Sequence, residues 1–173
     1  YLSLSKHPKL IEASIKHSKE YGVGGTASRL VKNLDIYNKL EEKIAKSKNT
    51  EAAILFPSGF QANVSTISVL LDKNILGQEP LVFSDKLNHA SIHQGCFIAG
   101  VRQIRYNNID LNHLETRLKE YSNDNRPKFI ITESVFSMDG TKVDLKDLCY
   151  LSEKYNCVTF LMNSKNIILI TLF

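Results

Sequence analysis

Short apolar runs alternate with longer amphipathic segments along this chain, and this alternation restricts the fold more than any other feature. The apolar runs, which we predict to be strands, are 52–56, 80–83, 101–106, 128–134 and 157–162. The segments between them repeat apolar residues at spacings of three and four, the period of an α-helix. Strands that alternate with helices form a mainly parallel sheet with helices on both faces. We therefore expect an α/β fold.

Residues that can accept hydrogen bonds from a first helical turn mark the predicted helix starts. The predicted caps are Asp35, Ser58, Asp110 and Asp144. A first helix is predicted over 8–21, followed by a glycine-rich stretch at 21–29, and another helix is expected to begin near His89. The helix that Ser58 caps is predicted to cover 58–71.

The composition indicates a globular domain but says little about its activity. The chain has 173 residues, of which 43% are hydrophobic, as expected of a globular domain rather than a disordered chain. The net charge is +4 and the lysines are scattered among acids, which does not favour a nucleic-acid partner. No apolar run is long enough to cross a bilayer. The three cysteines show no metal-ligand spacing, and their odd number fits a reducing cytoplasm.

Polar side chains follow three of the predicted strands at their carboxyl ends, where parallel α/β sheets bind ligands. The three segments are PSGFQAN (57–63), SDKLNHASIHQG (84–95) and TESVFSMDG (132–140). The first begins a helix whose N–H groups could hold a phosphate, although a plain capped helix explains it equally well. The second supplies the imidazole of His89, and the third supplies Glu133, Ser137 and Asp139.

His89 and His93 are four residues apart, which places both rings on one face of a helix, as in a zinc site. Zinc needs a third ligand, and neither an HExxH motif nor a cysteine cluster occurs. A helix start that could hold a phosphate, the flat imidazole ring of His89 and hydroxyl groups such as that of Ser137 suit a phosphorylated aromatic cofactor better than a metal. We therefore expect no metal, and we expect His93 to be an ordinary helix residue.

Four segments resemble, in order and spacing, the α-oxoamine synthases, which are pyridoxal-phosphate enzymes of the aspartate-aminotransferase fold type (fold type I). The segments are YLSLSKHPKLIEA, LEEKIAKSKNTEAAILFPSGFQAN, DKLNHASIHQG and ITESVFSMDG. The resemblance runs from Tyr1 to about Met162 and implies the large domain of that fold, incomplete at its C-terminus. It implies an N-terminal helical segment with a glycine-rich loop at 1–50, part of the cofactor-binding domain at 51–162, and a divergent tail at 163–173.

The family resemblance also implies an activity. Its members condense an amino acid with an acyl-CoA, with loss of carbon dioxide, and act as cytoplasmic homodimers. The overall likeness is greatest to the 8-amino-7-oxononanoate synthases of biotin biosynthesis. Enzymes similar to 2-amino-3-ketobutyrate CoA ligase or 5-aminolevulinate synthase are the alternatives.

Matching motifs imply roles for individual residues. The residues expected to bind pyridoxal phosphate are Ser58, Gly59, Phe60, His89, Glu133 and Ser137. The first three would contact the phosphate, the imidazole would stack on the pyridine ring, and the last two would lie around the ring and its phenolic oxygen. His89 and Ser137 are the candidate catalytic residues. Asn63 and Asp139 are expected to stabilise the loops that carry these groups.

Two parts of the family pattern are missing from this sequence. The strand at 157–162 is followed by Asn163 or Ser164, where the family has an aspartate that pairs with the pyridine nitrogen. The family's aldimine lysine has no counterpart, because Lys86 and Lys165 occupy other positions. We therefore interpret the chain as truncated or frameshifted, and we predict that it forms no aldimine by itself. A non-catalytic remnant or partner subunit is the alternative to an enzyme.

Overall fold

The computed structural model describes residues 3–25 and 27–163, which divide between Leu55 and Phe56 into two compact units. The elements of the first unit are a 3₁₀ turn at Leu4–Lys6, helix α1 at Pro8–Tyr21 and helix α2 at Asp35–Lys48. Ala45 is the one buried residue among the described residues of this unit. A bidentate ion pair joins Arg29 to Glu41, with N–O distances of 2.7 and 2.9 Å.

The described residues of the second unit form a four-stranded parallel sheet with helices on both faces. Its elements are α3 (Gly59–Leu70), α4 (Lys73–Leu76), β1 (Leu81–Asp85), α5 (Ala90–Ile98), β2 (Gln103–Tyr106), α6 (Leu111–Glu120), β3 (Lys128–Glu133), α7 (Leu145–Lys154) and β4 (Cys157–Met162). The strand order is β2–β1–β3–β4 and every neighbouring pair is parallel. The α/β fold predicted from the alternating pattern is confirmed.

Alternate residues of β1, β3 and β4 enter two separate cores, as the period of two in a strand requires. Leu81 and Phe83 of β1 pack in a cluster with residues of α6 and α7. Val82 lies between them in the chain and packs instead in a cluster with residues of α3 and α5. Because both faces of the sheet are covered, residues 81–83 of β1 and 129–131 of β3 are apolar, and polar residues follow them at the carboxyl ends of these strands.

Helices α3 and α5 approach each other closely at Gly95. A Cβ at this position would lie 2.8 Å from Cβ and 2.9 Å from Cγ2 of Ile67, which is closer than real side chains pack. Glycine at this crossing therefore allows α5 to lie against α3. This contact matters for the site, because α5 begins directly after His89.

Three of the four predicted helix caps are confirmed. The side chains of Ser58, Asp110 and Asp144 accept hydrogen bonds from backbone N–H groups of α3, α6 and α7. The prediction for Asp35 is wrong, because Asp35 is the first residue of α2 and Leu34 is its N-cap. A carboxylate in the first turn still interacts favourably with the helix dipole, which explains an acid at this position without a cap.

The strand predicted at 52–56 is also wrong, since these residues have no strand assignment. A strand needs a hydrogen-bonded neighbour, and none of the described strands pairs with this segment. Its polar groups bond elsewhere: Leu55 N–H donates to Oε1 of Glu41 at 2.8 Å, and Ala52 O accepts from Oγ1 of Thr50 at 3.1 Å. An apolar run alone could not show that this partner is absent.

Predictions that concern Ser164, Lys165 and the rest of the 164–173 tail lie outside the described residues. The domain boundaries predicted at 50 and 162 stay a prediction. Within 3–25 and 27–163, no helix has both the length and the apolar composition that a membrane span requires.

Candidate functional site

The candidate site lies at the carboxyl ends of β1 and β3, where Asp85 begins a loop that leads to His89. Asp85 is fully buried and its carboxylate accepts three hydrogen bonds. Oδ1 accepts from the N–H of Leu87 at 2.9 Å and from Nδ2 of Asn108 at 3.0 Å, and Oδ2 accepts from the N–H of Ile109 at 2.8 Å. These hydrogen bonds join the loop after β1 to the loop after β2.

Asn88 holds the same loop against the sheet. Its Nδ2 donates to Oγ of Ser84 at 3.0 Å and to the carbonyl oxygen of Ile131 at 2.8 Å. Ser84 belongs to β1 and Ile131 to β3, so one buried amide joins the loop to both central strands. The residue that follows, His89, consequently has a well-defined position.

His89 is the N-cap of α5, and its side chain is exposed. Its backbone N–H donates to Oε1 of Glu133 at 2.7 Å. Its ring Nδ1 accepts from the N–H of Ser91 at 3.2 Å and lies 2.7 Å from Oγ of Ser91. Both the backbone and the ring are therefore held by the protein, while the rest of the imidazole faces outward.

Glu133 ends β3 and is buried, with 2% of its surface exposed. Burial raises the pKa of this carboxyl above its usual value, and the hydrogen bond from the His89 backbone opposes that rise. A carboxyl at this place can accept from His89 in either protonation state. Its position at the strand end agrees with the predicted location.

Ser58, Gly59 and Phe60 lie together at the N-terminus of α3. Oγ of Ser58 accepts from the N–H of Gln61 at 3.1 Å. The phenyl ring of Phe60 meets the imidazole of His89 edge to face, with centroids 6.3 Å apart and planes at 74°. The structure therefore brings the predicted phosphate-binding segment next to the predicted stacking residue.

Ser137 is the predicted site residue that the structure does not join to the others. It lies in an exposed turn after β3, closed by hydrogen bonds from Gly140 N–H to Phe136 O and from Phe136 N–H to Thr141 O. Asp139 lies in the same exposed turn. Among the described residues, Ser137 makes no hydrogen bond to His89 or Glu133, so its predicted role stays a prediction.

The two histidines have different partners. Nδ1 of His93 lies 2.8 Å from Oε1 of Gln103 at the start of β2, whereas Nδ1 of His89 bonds to Ser91. Their common helical spacing therefore does not direct the two rings to a common ligand.

Sequence reasoning missed Ser91 and Met162. Nδ2 of Asn63 donates to Oγ of Ser91 at 2.8 Å and to Sδ of Met162 at 2.9 Å. Asn63 was predicted to stabilise a loop, but no local pattern could show its partners, because they are 28 and 99 residues away in the sequence. Asn163, which follows β4, is half-buried and carries no charge.

Comparison with known proteins places this arrangement in a family. A family model described as aminotransferase class I and II matches residues 1–161, which is most of the chain. The chain belongs to the aminotransferase class I and II family. Fold type I, predicted from the sequence motifs, is thereby confirmed for this family member.

Curated relatives of this aminotransferase-family chain are named as 8-amino-7-oxononanoate synthases. A putative one from Paramagnetospirillum magneticum is 47% identical over 161 residues, and the match covers 92% of this chain and 41% of the relative. Another from Gluconacetobacter diazotrophicus is 44% identical over 164 residues, covering 93% and 41%. The chain thus spans about two fifths of the length of the curated relatives it matches.

Two solved structures resemble this chain over most of its length. A serine palmitoyltransferase from S. paucimobilis, solved with a pyridoxal phosphate–myriocin aldimine, has a TM-score of 0.85 at 25% identity, covering 93% of this chain and 40% of that one. The 8-amino-7-oxononanoate synthase from Francisella tularensis has a TM-score of 0.71 at 29% identity, covering 94% and 42%. The resemblance to α-oxoamine synthases is confirmed.

Proposed function

We propose that this chain supplies the ring-facing part of a pyridoxal phosphate site in a decarboxylative condensation of an amino acid with an acyl-CoA. The reaction is of the 8-amino-7-oxononanoate synthase type and belongs to biotin biosynthesis. The observation that carries the proposal is the exposed imidazole of His89, which Ser91 and Glu133 hold beside the N-terminus of α3. The names of the relatives support the reaction class.

The donor set at the N-terminus of α3 fits a phosphate. The side chain of Ser58 accepts a hydrogen bond from the N–H of Gln61. The N–H groups of Gly59 and Phe60, in the same first turn, have no carbonyl partner within the helix. These N–H groups and the positive end of the helix dipole favour an anion. Ser58, Gly59 and Phe60 would therefore hold the phosphate group.

The exposed face of His89 fits a flat, electron-poor ring. Because Glu133 holds the His89 backbone and Ser91 holds Nδ1, the imidazole can offer its face to a pyridine ring without first losing side-chain freedom. Glu133 and Ser137 would lie around that ring. When bound, pyridoxal phosphate supplies the electron sink for the carbanion formed at the amino acid's α-carbon.

One position fits the cofactor poorly, and it favours a second candidate function. Asn163 or Ser164 stands where the family has an aspartate, and neither side chain carries the negative charge that would stabilise a protonated ring nitrogen. A chain of this kind would bind the cofactor without activating it fully. The second candidate is thus a non-catalytic remnant or partner subunit of an intact homologue.

The partners and location belong to the same proposal. An amino acid and an acyl-CoA are the proposed substrates, a second copy of the chain is the proposed partner, and the cytoplasm is the proposed location. The family resemblance supports the substrates and the dimer, and the unpaired cysteines support the location.

Cofactor binding is tested with a matched pair of histidine variants. Equilibrium dialysis measures the affinity of the purified chain for pyridoxal phosphate, with inorganic phosphate as competitor. We expect His89→Ala to weaken binding about two- to tenfold, the range for loss of one aromatic contact. His93→Ala, one helical turn away, should bind as the unmodified chain does. Equal effects of the two substitutions, or no saturable binding, would contradict the proposal.

The reaction class is tested separately with an amino acid labelled in its carboxyl group. Release of labelled carbon dioxide that requires both pyridoxal phosphate and an acyl-CoA would support the condensation. Release without acyl-CoA would contradict it. Saturable cofactor binding without any release would favour the non-catalytic candidate.

A further inference from the structure

We infer that Asn63 and Ser91 are positioning residues that hold the His89 imidazole in the tautomer protonated on Nε2, leaving that N–H as the one ring donor open to a ligand. The inference deepens the proposed function, and its relevance to a cofactor rests on that function. The tautomer itself can be measured without any cofactor.

The backbone of Ser91 decides the protonation state of Nδ1. The N–H of Ser91 points at Nδ1 of His89, with 3.2 Å between the nitrogens. A backbone N–H can only donate, so Nδ1 must present its lone pair. In a neutral imidazole the proton then resides on Nε2.

The Ser91 hydroxyl adds a second donor to the same atom. Oγ of Ser91 lies 2.7 Å from Nδ1 of His89 and also accepts from Nδ2 of Asn63 at 2.8 Å. The Ser91 oxygen has two lone pairs and could accept from both neighbours, but Nδ1 of His89 is already an acceptor toward the N–H of Ser91, so the hydroxyl proton of Ser91 points to Nδ1. The chain of bonds therefore runs in one direction, from Asn63 through Ser91 to His89.

Met162 determines the orientation of the Asn63 amide. The second N–H of Nδ2 donates to Sδ of Met162 at 2.9 Å. A thioether sulfur has no proton to donate, so a flipped amide would place its oxygen against another acceptor and leave two N–H groups without partners. Asn63 is 1% exposed, and water could not readily satisfy those groups. The observed orientation leaves only Oδ1 without a partner among the described residues.

The two nitrogens of the His89 ring therefore have different roles, one on the buried side and one on the exposed side. Nδ1 is used as an acceptor on the buried side, while no described residue accepts from Nε2, and the side chain is exposed. The available Nε2–H suits an acceptor atom of a bound substrate or cofactor, such as a carboxylate or phenolic oxygen. Asn63 and Ser91 do not touch that ligand and act only through His89.

The tautomer is read from ¹⁵N chemical shifts of the histidine rings in the labelled chain without cofactor. Spectra are recorded at pH about 8.5, above the ordinary histidine pKa of about 6.5, so that the rings are neutral. The chain contains two reference histidines. Nδ1 of His113 accepts from the N–H of Asn107 at 3.1 Å, whereas Nδ1 of His17 lies 2.8 Å from the carbonyl of Ala13 and must donate.

We expect the Nδ1 and Nε2 shifts of His89 to match those of His113 and to differ from those of His17. Ser91→Ala removes the hydroxyl donor, and the Nδ1–H tautomer should become about fivefold more populated, the effect of losing one hydrogen bond. Asn63→Asp should shift the tautomer in the same direction, because the Ser91 hydroxyl then turns toward the new carboxylate. Ser68→Ala, a hydroxyl loss on the same helix as Asn63, is the control and should change nothing at His89.

The outcomes separate this inference from the proposed function. Shifts of His89 like those of His17, or shifts unchanged by Ser91→Ala in a chain with an otherwise native spectrum, would overturn the inference even if pyridoxal phosphate binds. If Asn63→Asp fails to fold, Ser91→Ala decides alone. The predicted tautomer in a chain that does not bind pyridoxal phosphate would support the inference and reject the proposed function.

Discussion

At the scale of single residues, three donors from two different loops converge on the carboxylate of Asp85. A buried carboxyl group is tolerated here because these hydrogen bonds replace the water it has lost. One of its donors is the N–H of Ile109, which has a positive φ of 49°, unusual for a β-branched residue. The hydrogen bond to Asp85 thus accompanies a backbone conformation that isoleucine would otherwise avoid.

We expect Asp85→Ala to lower the free energy of unfolding by about 2–4 kcal/mol, because it removes a buried acceptor that three partly buried donors share. Asp85→Asn should cost less, since the amide oxygen still accepts on one side. Urea unfolding measures both. Asp139→Ala, which removes an exposed carboxylate, is the control and should change stability by about 0.5 kcal/mol or less. Equal effects at the two positions would refute this account of Asp85.

The raised pKa of Glu133 predicts a pH dependence of stability. A carboxyl whose pKa is raised in the folded state stabilises that state below its unfolded pKa, about 4.3, and this contribution is lost as the pH rises through the folded pKa. Glu133→Gln keeps an oxygen that can accept from His89 but never ionises. The variant should therefore gain stability relative to the unmodified chain between acid and neutral pH. Urea unfolding across that range tests this, and a constant difference would reject it.

At the scale of elements, the packing of α3 against α5 positions the site. Asn63 lies on α3, Ser91 lies on α5, and Gly95 allows the two helices to approach. The helix starts could be predicted from Ser58, Asp110 and Asp144, because a cap and its N–H partner are neighbours in the sequence. The contact of Gly95 with Ile67 could not be predicted from the sequence, because it depends on how two helices cross.

We expect Gly95→Ala to destabilise the chain by about 1–3 kcal/mol through overpacking against Ile67, although alanine favours a helix by about 1 kcal/mol over glycine. The displaced α5 should also change the ring ¹⁵N shifts of His89. Gln94→Ala is the control, because Gln94 is an exposed neighbour on the same helix. Thermal unfolding and the histidine spectra measure the two effects. A stabilised Gly95→Ala variant would contradict the packing argument.

At the scale of the whole molecule, burial is distributed unequally between the two units. The described residues of the first unit bury only Ala45, whereas the second unit contains both apolar clusters on its sheet. Helices without a buried apolar face are marginally stable, since most helical stability in proteins comes from packing. The two units should therefore differ in how readily they open.

Native-state hydrogen exchange tests this difference. We expect amides of β1 and β3 to exchange only by global unfolding, and amides of α1 and α2 to exchange by local opening with much lower protection. Limited proteolysis should first cleave within the first unit. Equal protection of α1 and β3 would show that the first unit is stabilised in a way that its burial does not reveal.

Residue patterns along the chain were enough to predict the α/β fold, the strand at Cys157–Met162 and three helix caps, because apolar period and capping act between residues close in the chain. Its motifs also placed His89, Glu133 and the start of α3 at one edge of the sheet. The folded arrangement was needed to show that 52–56 is not a strand and that Asn63 reaches His89 through Ser91. These outcomes depend on hydrogen-bond partners far away in the sequence, which become neighbours only when the helices pack on the sheet.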